Sequence, residues 1–122
     1  MTFNNTNIVF LQDTDFDIPR KILKTPLKTF VMVQGSFCGH CISAKPAFIE
    51  AANQNTGDVI FATIQVDGDA SEKALAKQLG KITNGAYTGG VPTYLLFENG
   101  KYKTTYNDGR DAESISNFTN SL

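Results

Sequence analysis

The chain has 122 residues, of which 41% are hydrophobic and 19% charged, with a formal net charge of −1. That size and balance suit one folded domain with a real core and exclude a disordered chain. No block of Lys and Arg stands out, and runs such as Phe30-Val31-Met32-Val33 are far too short to span a bilayer, so neither nucleic acid nor membrane is expected as a partner.

The start, "MTFNNTNIVFLQD", lacks the basic opening and long apolar stretch of a secretory signal, and Asn120-Ser121-Leu122 is not an endoplasmic-reticulum retention tail. A cytoplasmic location is therefore expected, unless processing has removed something. Ile8 to Leu11 suits a short strand, soon broken by Asp13, Asp15 and Pro19. Ile22, Leu23 and Leu27 lie between Pro19 and Pro26, which predicts a short helix at most. Thr29 to Val33 is a continuous apolar, β-branched-rich run, as expected of a strand covered on both faces. "GSF" turns the chain into a cysteine motif, and Cys38 to about Asn53 reads as helix.

Val59 to Val66 is the second buried strand. Asp69 with Glu72 three residues later predicts an acidic capping box for a helix carrying Leu75 and Leu79, ended by Gly80. Pro92 opens the strand "PTYLLF". Asn99-Gly100 is a two-residue hairpin signal, leading to a strand in which Tyr102, Thr104 and Tyr106 alternate with polar residues. Asp111 caps a last helix whose Ile115, Phe118 and Leu122 share one face. The order is mixed α/β, with no internal repeat and no linker.

Both cysteines and the only histidine fall within "CGHC", Cys38 to Cys41. A structural zinc needs four ligands, and Cys38, His40 and Cys41 offer at most three. Covalent haem would need His directly after the second cysteine, where Ile42 stands. A pair of buried, inert thiols and an iron–sulfur cluster shared between two chains remain open on spacing alone.

Where a strand turns into a helix, Cys38 sits near unpaired backbone N–H groups and the positive end of the helix dipole. Such sites lower a thiol pKa from about 8.5 to between about 3.5 and 7, and the thiolate is the reactive form. Cys41 lies one turn on, so the two sulfurs can meet. The ring closed by such a disulfide is tiny, so its value is reversibility rather than stability. A protonated His40 beside the Cys38 thiolate would favour the dithiol and make the disulfide a better oxidant. About −270 mV for a reducing thioredoxin and about −180 mV for a disulfide isomerase differ by roughly 4 kcal/mol.

From about Ile8 the chain resembles the thioredoxin-fold superfamily, closest to a single catalytic domain of protein disulfide isomerase. "CGHC" is the isomerase-type motif, Pro46 matches a proline that kinks the active-site helix, and Phe48 matches an aromatic two positions later. "GGVPTYLLFENGK" and "YNDGRDAESISNF" resemble the strand entered through a cis-proline and the final loop and helix. The resemblance implies one thioredoxin-like α/β domain over residues 1–122, with a central mixed β-sheet of four to five strands flanked by helices. It implies a catalytic set of Cys38, Gly39, His40 and Cys41, with Arg110 approaching the second cysteine. Phe37, Gly90, Val91 and Pro92 would bind substrate, the Val91 backbone pairing with an extended peptide through main-chain hydrogen bonds. Taken alone, Pro92 reads equally well as a proline starting an edge strand, and Arg110 as a solvated loop residue.

Three departures from the family pattern stand out. Phe37 replaces a tryptophan and loses its N–H donor, and Ile42 replaces a basic residue. Met32 replaces a buried acid that accepts the proton of the second cysteine, and neither Thr63 nor Gln65 supplies the lysine that often pairs with it. Slow resolution of mixed disulfides by Cys41 is expected in consequence.

The implied activity is thiol–disulfide exchange on protein cysteines through a reversible Cys38–Cys41 disulfide, leaning to oxidase or isomerase. A reductase and a redox-silent binding module are the alternatives. No cofactor or metal is expected. Cysteine-containing proteins and a thiol reductase or oxidase are the expected partners, and the protein is expected to be a monomer. A cytosolic glutathione pool would keep such a pair mostly reduced, a conflict that a virion or an organelle would dissolve.

Overall fold

The structure, a computed structural model, describes Phe3 and residues 6–122; the other residues of the N-terminal stretch read for a targeting signal lie outside the described residues. In chain order the elements begin with β1 (Val9–Phe10), a 3₁₀ turn (Asp13–Asp15), β2 (Phe16–Asp17), β3 (Ile22–Leu23) and β4 (Thr29–Gln34). Then follow α1 (Gly39–Gln54), β5 (Ile60–Gln65), α2 (Ala70–Ile82), β6 (Thr93–Glu98), β7 (Lys101–Tyr106) and α3 (Ala112–Asn120).

Five strands form one mixed sheet in the order β1-β5-β4-β6-β7. β4 and β5 run parallel, as do β1 and β5, whereas β6 is antiparallel to β4 and β7 is antiparallel to β6. β4 is central and buried at every position, as its uninterrupted apolar run requires. Alternation along it sends Phe30 and Met32 to the face covered by α1 and α3, and Val31 and Val33 to the face covered by α2. On the first face the Phe30 ring lies 5.5 to 5.9 Å from Phe48, Phe61, Tyr94, Tyr106 and Phe118. This aromatic hub fixes α1 and α3 against the sheet.

Local signals set several boundaries. Asp69 and Glu72 form the reciprocal capping box, and Asp111 caps α3 by accepting from the Ser114 N–H at 3.0 Å. Asn99 and Gly100 both take positive φ, 52° and 81°, the geometry of a two-residue hairpin turn. Gly100 cannot be replaced there without cost, because a Cβ would come within 2.6 Å of the Leu23 carbonyl oxygen.

Elsewhere the structure departs from the sequence pattern. Where Ile22, Leu23 and Leu27 predict a short helix, β2 and β3 instead form an antiparallel pair, Phe16 opposite Leu23. Lys21 closes the turn at a φ of 59°, the Leu23 N–H donates to the Gly100 carbonyl at 2.8 Å, and Phe16 packs edge-on against Phe97. Packing under the β6–β7 turn outweighs local helix preference.

α2 does not end at Gly80 but continues to Ile82, which is buried; the left-handed residues that end it are Asn84 and Gly85. In β7 a register shift opposite Leu96 and Phe97 breaks the alternation. Tyr102 therefore packs on Phe97 on the α2 side, while Tyr106 joins the aromatic hub on the other. No helix among the described residues is long and apolar enough to cross a membrane.

Candidate active site

β4 ends at Gln34, and Gly35 to Phe37 turn the chain from the C-terminal end of this central strand into α1. Gly35 is buried, and the Phe37 ring folds back to within 2.5 Å of where a Cβ would stand. Cys38 is the N-cap of α1, with extended backbone angles, and its Sγ accepts from the Cys41 N–H at 3.0 Å. The sulfur thus takes the place usually filled by a Ser or Asp oxygen at a helix N-terminus. The Cys38 and Cys41 sulfurs are bonded, with their Cα atoms 5.2 Å apart.

The two sulfurs are not equivalent. Cys38 retains 9% exposure and Cys41 none. A nucleophile arriving from solvent meets Cys38 first. On reduction, a thiolate at Cys38 would face the open end of α1, where N–H groups and dipole stabilise negative charge. Pro46 lies inside α1 and cannot donate to the helix ladder, but the helix runs through it to Gln54.

Two large apolar side chains are exposed close to Cys38, Phe37 at 70% and Ile42 at 45%. The Val91 carbonyl oxygen lies 3.7 Å from the Cys38 sulfur, which brings the β6 approach against the motif from a position 53 residues away. The Val91–Pro92 peptide is cis. Gly90 is exposed beside it, and its carbonyl accepts from the Thr93 hydroxyl at 2.7 Å. Cys38 and Val91 are therefore brought together, with Phe37 and Pro92 next to them along the chain. Gly39 and His40 are exposed in the first turn of α1, and among the described residues no hydrogen bond or ion pair fixes His40. Arg110 is exposed ahead of α3, and its charge acts on the hydroxyl of Tyr94.

Several neighbours carry no signal in the motif itself. Asp67, just beyond β5, accepts from the Ser36 N–H at 3.0 Å, from the Ser36 hydroxyl, and from the Gln65 side-chain amide at 3.2 Å. These bonds, the Ser36 hydroxyl foremost, hold the Asp67 carboxyl below the usual range and tie the turn before Cys38 to the end of β5. Lys45, on α1, is buried with its Nζ 5.4 Å from the centre of the Phe3 ring. Burial pushes its pKa down, with the Asp67 charge opposing. Tyr94 is buried with a hydroxyl that has no hydrogen-bond partner among the described residues, and desolvation pushes it up to about 12 against the field of Arg110. Met32 is fully buried between Thr63 and Tyr94 in the sheet, so no carboxylate occupies that place. No group of three or more His, Cys, Asp or Glu side chains among the described residues could hold a metal ion.

The family model described as Thioredoxin matches residues 7–121. The chain is 35% identical to "Putative thioredoxin-like protein 453L" of Invertebrate iridescent virus 6 over 93% of its own length and 90% of that protein. It is 31% identical to "Protein disulfide-isomerase like 2-2" of Arabidopsis thaliana over 88% of its length, but spans only 22% of that longer protein. Among solved structures, human ERp44 form I superposes with a TM-score of 0.73 at 20% identity, covering 98% of this chain and 30% of that one. The J-Trx1 fragment of ERdj5 gives 0.70 at 21%, covering 94% and 51%. At such identities these structures establish the fold alone.

Proposed function

The chain belongs to the thioredoxin family and is a thiol–disulfide oxidoreductase; from that premise we propose that it exchanges disulfides with protein cysteines as an oxidase or isomerase. One observation carries the reading: Cys38 caps α1 at a partly open apolar rim, while its partner Cys41 is wholly buried. Only one sulfur of the pair invites attack.

As oxidant, a substrate thiolate attacks Cys38 Sγ, the Cys38–Cys41 bond breaks, and Cys41 leaves as a thiolate that takes up a proton. A second substrate thiolate then attacks the substrate sulfur of the mixed disulfide. Cys38 departs as a thiolate stabilised at the helix N-terminus, and the two electrons of the new substrate disulfide now reside in the Cys38–Cys41 dithiol. As isomerase, the reduced pair begins: Cys38 attacks a substrate disulfide, and Cys41 displaces the substrate if no substrate thiol does so first. Phe37 and Ile42 offer apolar contact to an unfolded chain, and the Val91 carbonyl beside Cys38 supplies a main-chain acceptor that does not depend on the side chains of its partner. An oxidising compartment such as a virion or an organelle belongs to the same proposal, because the cytosolic glutathione pool would hold the pair reduced.

The test is the equilibrium potential of the Cys38–Cys41 pair against glutathione, with refolding of a scrambled disulfide protein alongside. A potential near about −180 mV with isomerisation abolished by Cys38→Ser supports the proposal. A value near about −270 mV turns it into a reductase, and full turnover by Cys38→Ser ends it.

A further inference from the structure

Gln34 closes the apolar run of β4 and is 1% exposed. Its side-chain amide nitrogen donates to the Thr63 hydroxyl at 3.3 Å, and that hydroxyl donates to the Met32 carbonyl at 2.8 Å. The amide oxygen, buried, has no hydrogen-bond partner among the described residues. An orphaned buried acceptor forfeits its hydration, so it calls for an explanation.

Its position supplies one. Phe30 and Met32 share the core cluster of Cys38 and Cys41, and the two-residue period of the strand puts Gln34 on the same face. Thr63, its partner, lies two residues from Phe61 of that cluster, while Ala62 and Ile64 belong to the opposite one. The motif departs from this strand end, where the Cys38 N–H donates to the Gly35 carbonyl at 3.3 Å. The sulfur of Cys41, fully buried on the same side of the sheet, carries a hydrogen to donate only when reduced.

We propose that Gln34 is a positioning residue for the redox step, its amide oxygen accepting the S–H of Cys41 in the dithiol state. The inference rests on the exchange reaction above and adds what holds the proton of the buried cysteine. When a substrate dithiol reduces the pair, its two sulfurs give up two electrons and become a disulfide. Cys41 leaves as thiolate, takes up and keeps a proton released by a substrate thiol, and its S–H then donates a hydrogen bond to Gln34 Oε1. The acceptor is thus unpaired in the disulfide and paired in the dithiol, so it favours reduction of the pair by a factor of about three to ten, the worth of one neutral hydrogen bond.

An amide does not ionise, and by bonding the protonated form it holds the Cys41 pKa up. The titratable groups around this face are Lys45 from α1, Tyr94 and Tyr106 from β6 and β7, Asp67 after β5, Arg110 ahead of α3, and His40 in the motif. None of them is hydrogen-bonded to the amide oxygen.

Two measurements test this on the full chain. In the wild-type protein, the ¹³C resonance of the Gln34 side-chain carbonyl is followed by NMR as the disulfide is reduced. A shift that titrates with Cys41 is expected, and a resonance indifferent to reduction overturns the proposal without need of a variant. In Gln34→Met, which keeps the length and removes the acceptor, the glutathione equilibrium should move about three- to tenfold toward the disulfide, about 15 to 30 mV, and the Cys41 pKa should fall. A folded Gln34→Met with both values unchanged also overturns it. If wild-type protein fails to turn over protein disulfides while the Gln34 resonance still responds, the exchange reading falls and the Gln34 contact stands.

Discussion

A carboxyl introduced at Met32 should speed the release of mixed disulfides and make stability depend on pH. Met32 has no exposure and belongs to the same core cluster as Cys41. A fully buried carboxyl is raised by about three to five units, which takes a glutamate from about 4.3 to about 7 or higher. At three units the ionised form costs about 4 kcal/mol at 1.36 kcal/mol per unit. The sign follows from which state ionises first. The unfolded glutamate loses its proton near pH 4.3 and the folded one only near pH 7 or above, so the variant loses stability as pH rises across that window and is level beyond it. Below pH 4 only the burial of a neutral polar group remains, about 1 to 3 kcal/mol. The same raised pKa makes the group a competent base near neutrality for the Cys41 thiol, with rate gains on the order of 10² available to a positioned base. Rapid acid quenching counts the mixed disulfide in Met32→Glu and wild type, and urea titrations at pH 5 and pH 8 measure the stability difference. Equal accumulation of mixed disulfide in a folded variant would refute the idea that a missing base limits resolution. Equal stability at the two pH values would refute the burial.

Three further outcomes are expected. Asp67→Asn removes the carboxylate that Ser36 and Gln65 hold. Because its folded pKa is depressed, the tie is present above the ordinary Asp range and lost as pH falls through the folded value, so hydrogen-exchange protection at Ser36 to Cys38, measured against intrinsic rates, should drop in the variant at pH 7 and in wild type only in acid. Tyr94→Phe deletes a buried hydroxyl that has no partner among the described residues and should leave the protein as stable or up to about 2 kcal/mol more stable in urea at pH 7. With the phenol pushed up to about 12, wild type should also lose stability between about pH 10 and 12, as the unfolded phenol ionises first, and the variant should lose less. Gly100→Ala forces a side chain into a φ of 81° and toward the Leu23 carbonyl, so thermal or urea unfolding should report a loss of about 1 to 3 kcal/mol with the redox potential unchanged.

Short-range chemistry was legible along the chain before any fold was known. The apolar runs of β4, β5 and β6, the caps at Asp69 and Asp111, the positive-φ pair Asn99-Gly100 and the Cys38-to-Cys41 turn each depend on residues within a few positions of one another. Their physics is local: a dihedral, an i+3 hydrogen bond, a periodicity. Tertiary structure alone decided the pairing of β2 with β3, which depends on Gly100 lying over Leu23, and the register shift that sends Tyr102 and Tyr106 to opposite faces. It also decided that Asp67 reaches Ser36 across 31 positions, that the Arg110 charge falls on Tyr94, and that Gln34 donates to Thr63 while its oxygen has no match among the described residues. Such contacts arise because burying both faces of β4 leaves each polar group to find whatever partner the packing brings, and no local pattern encodes which residue that will be.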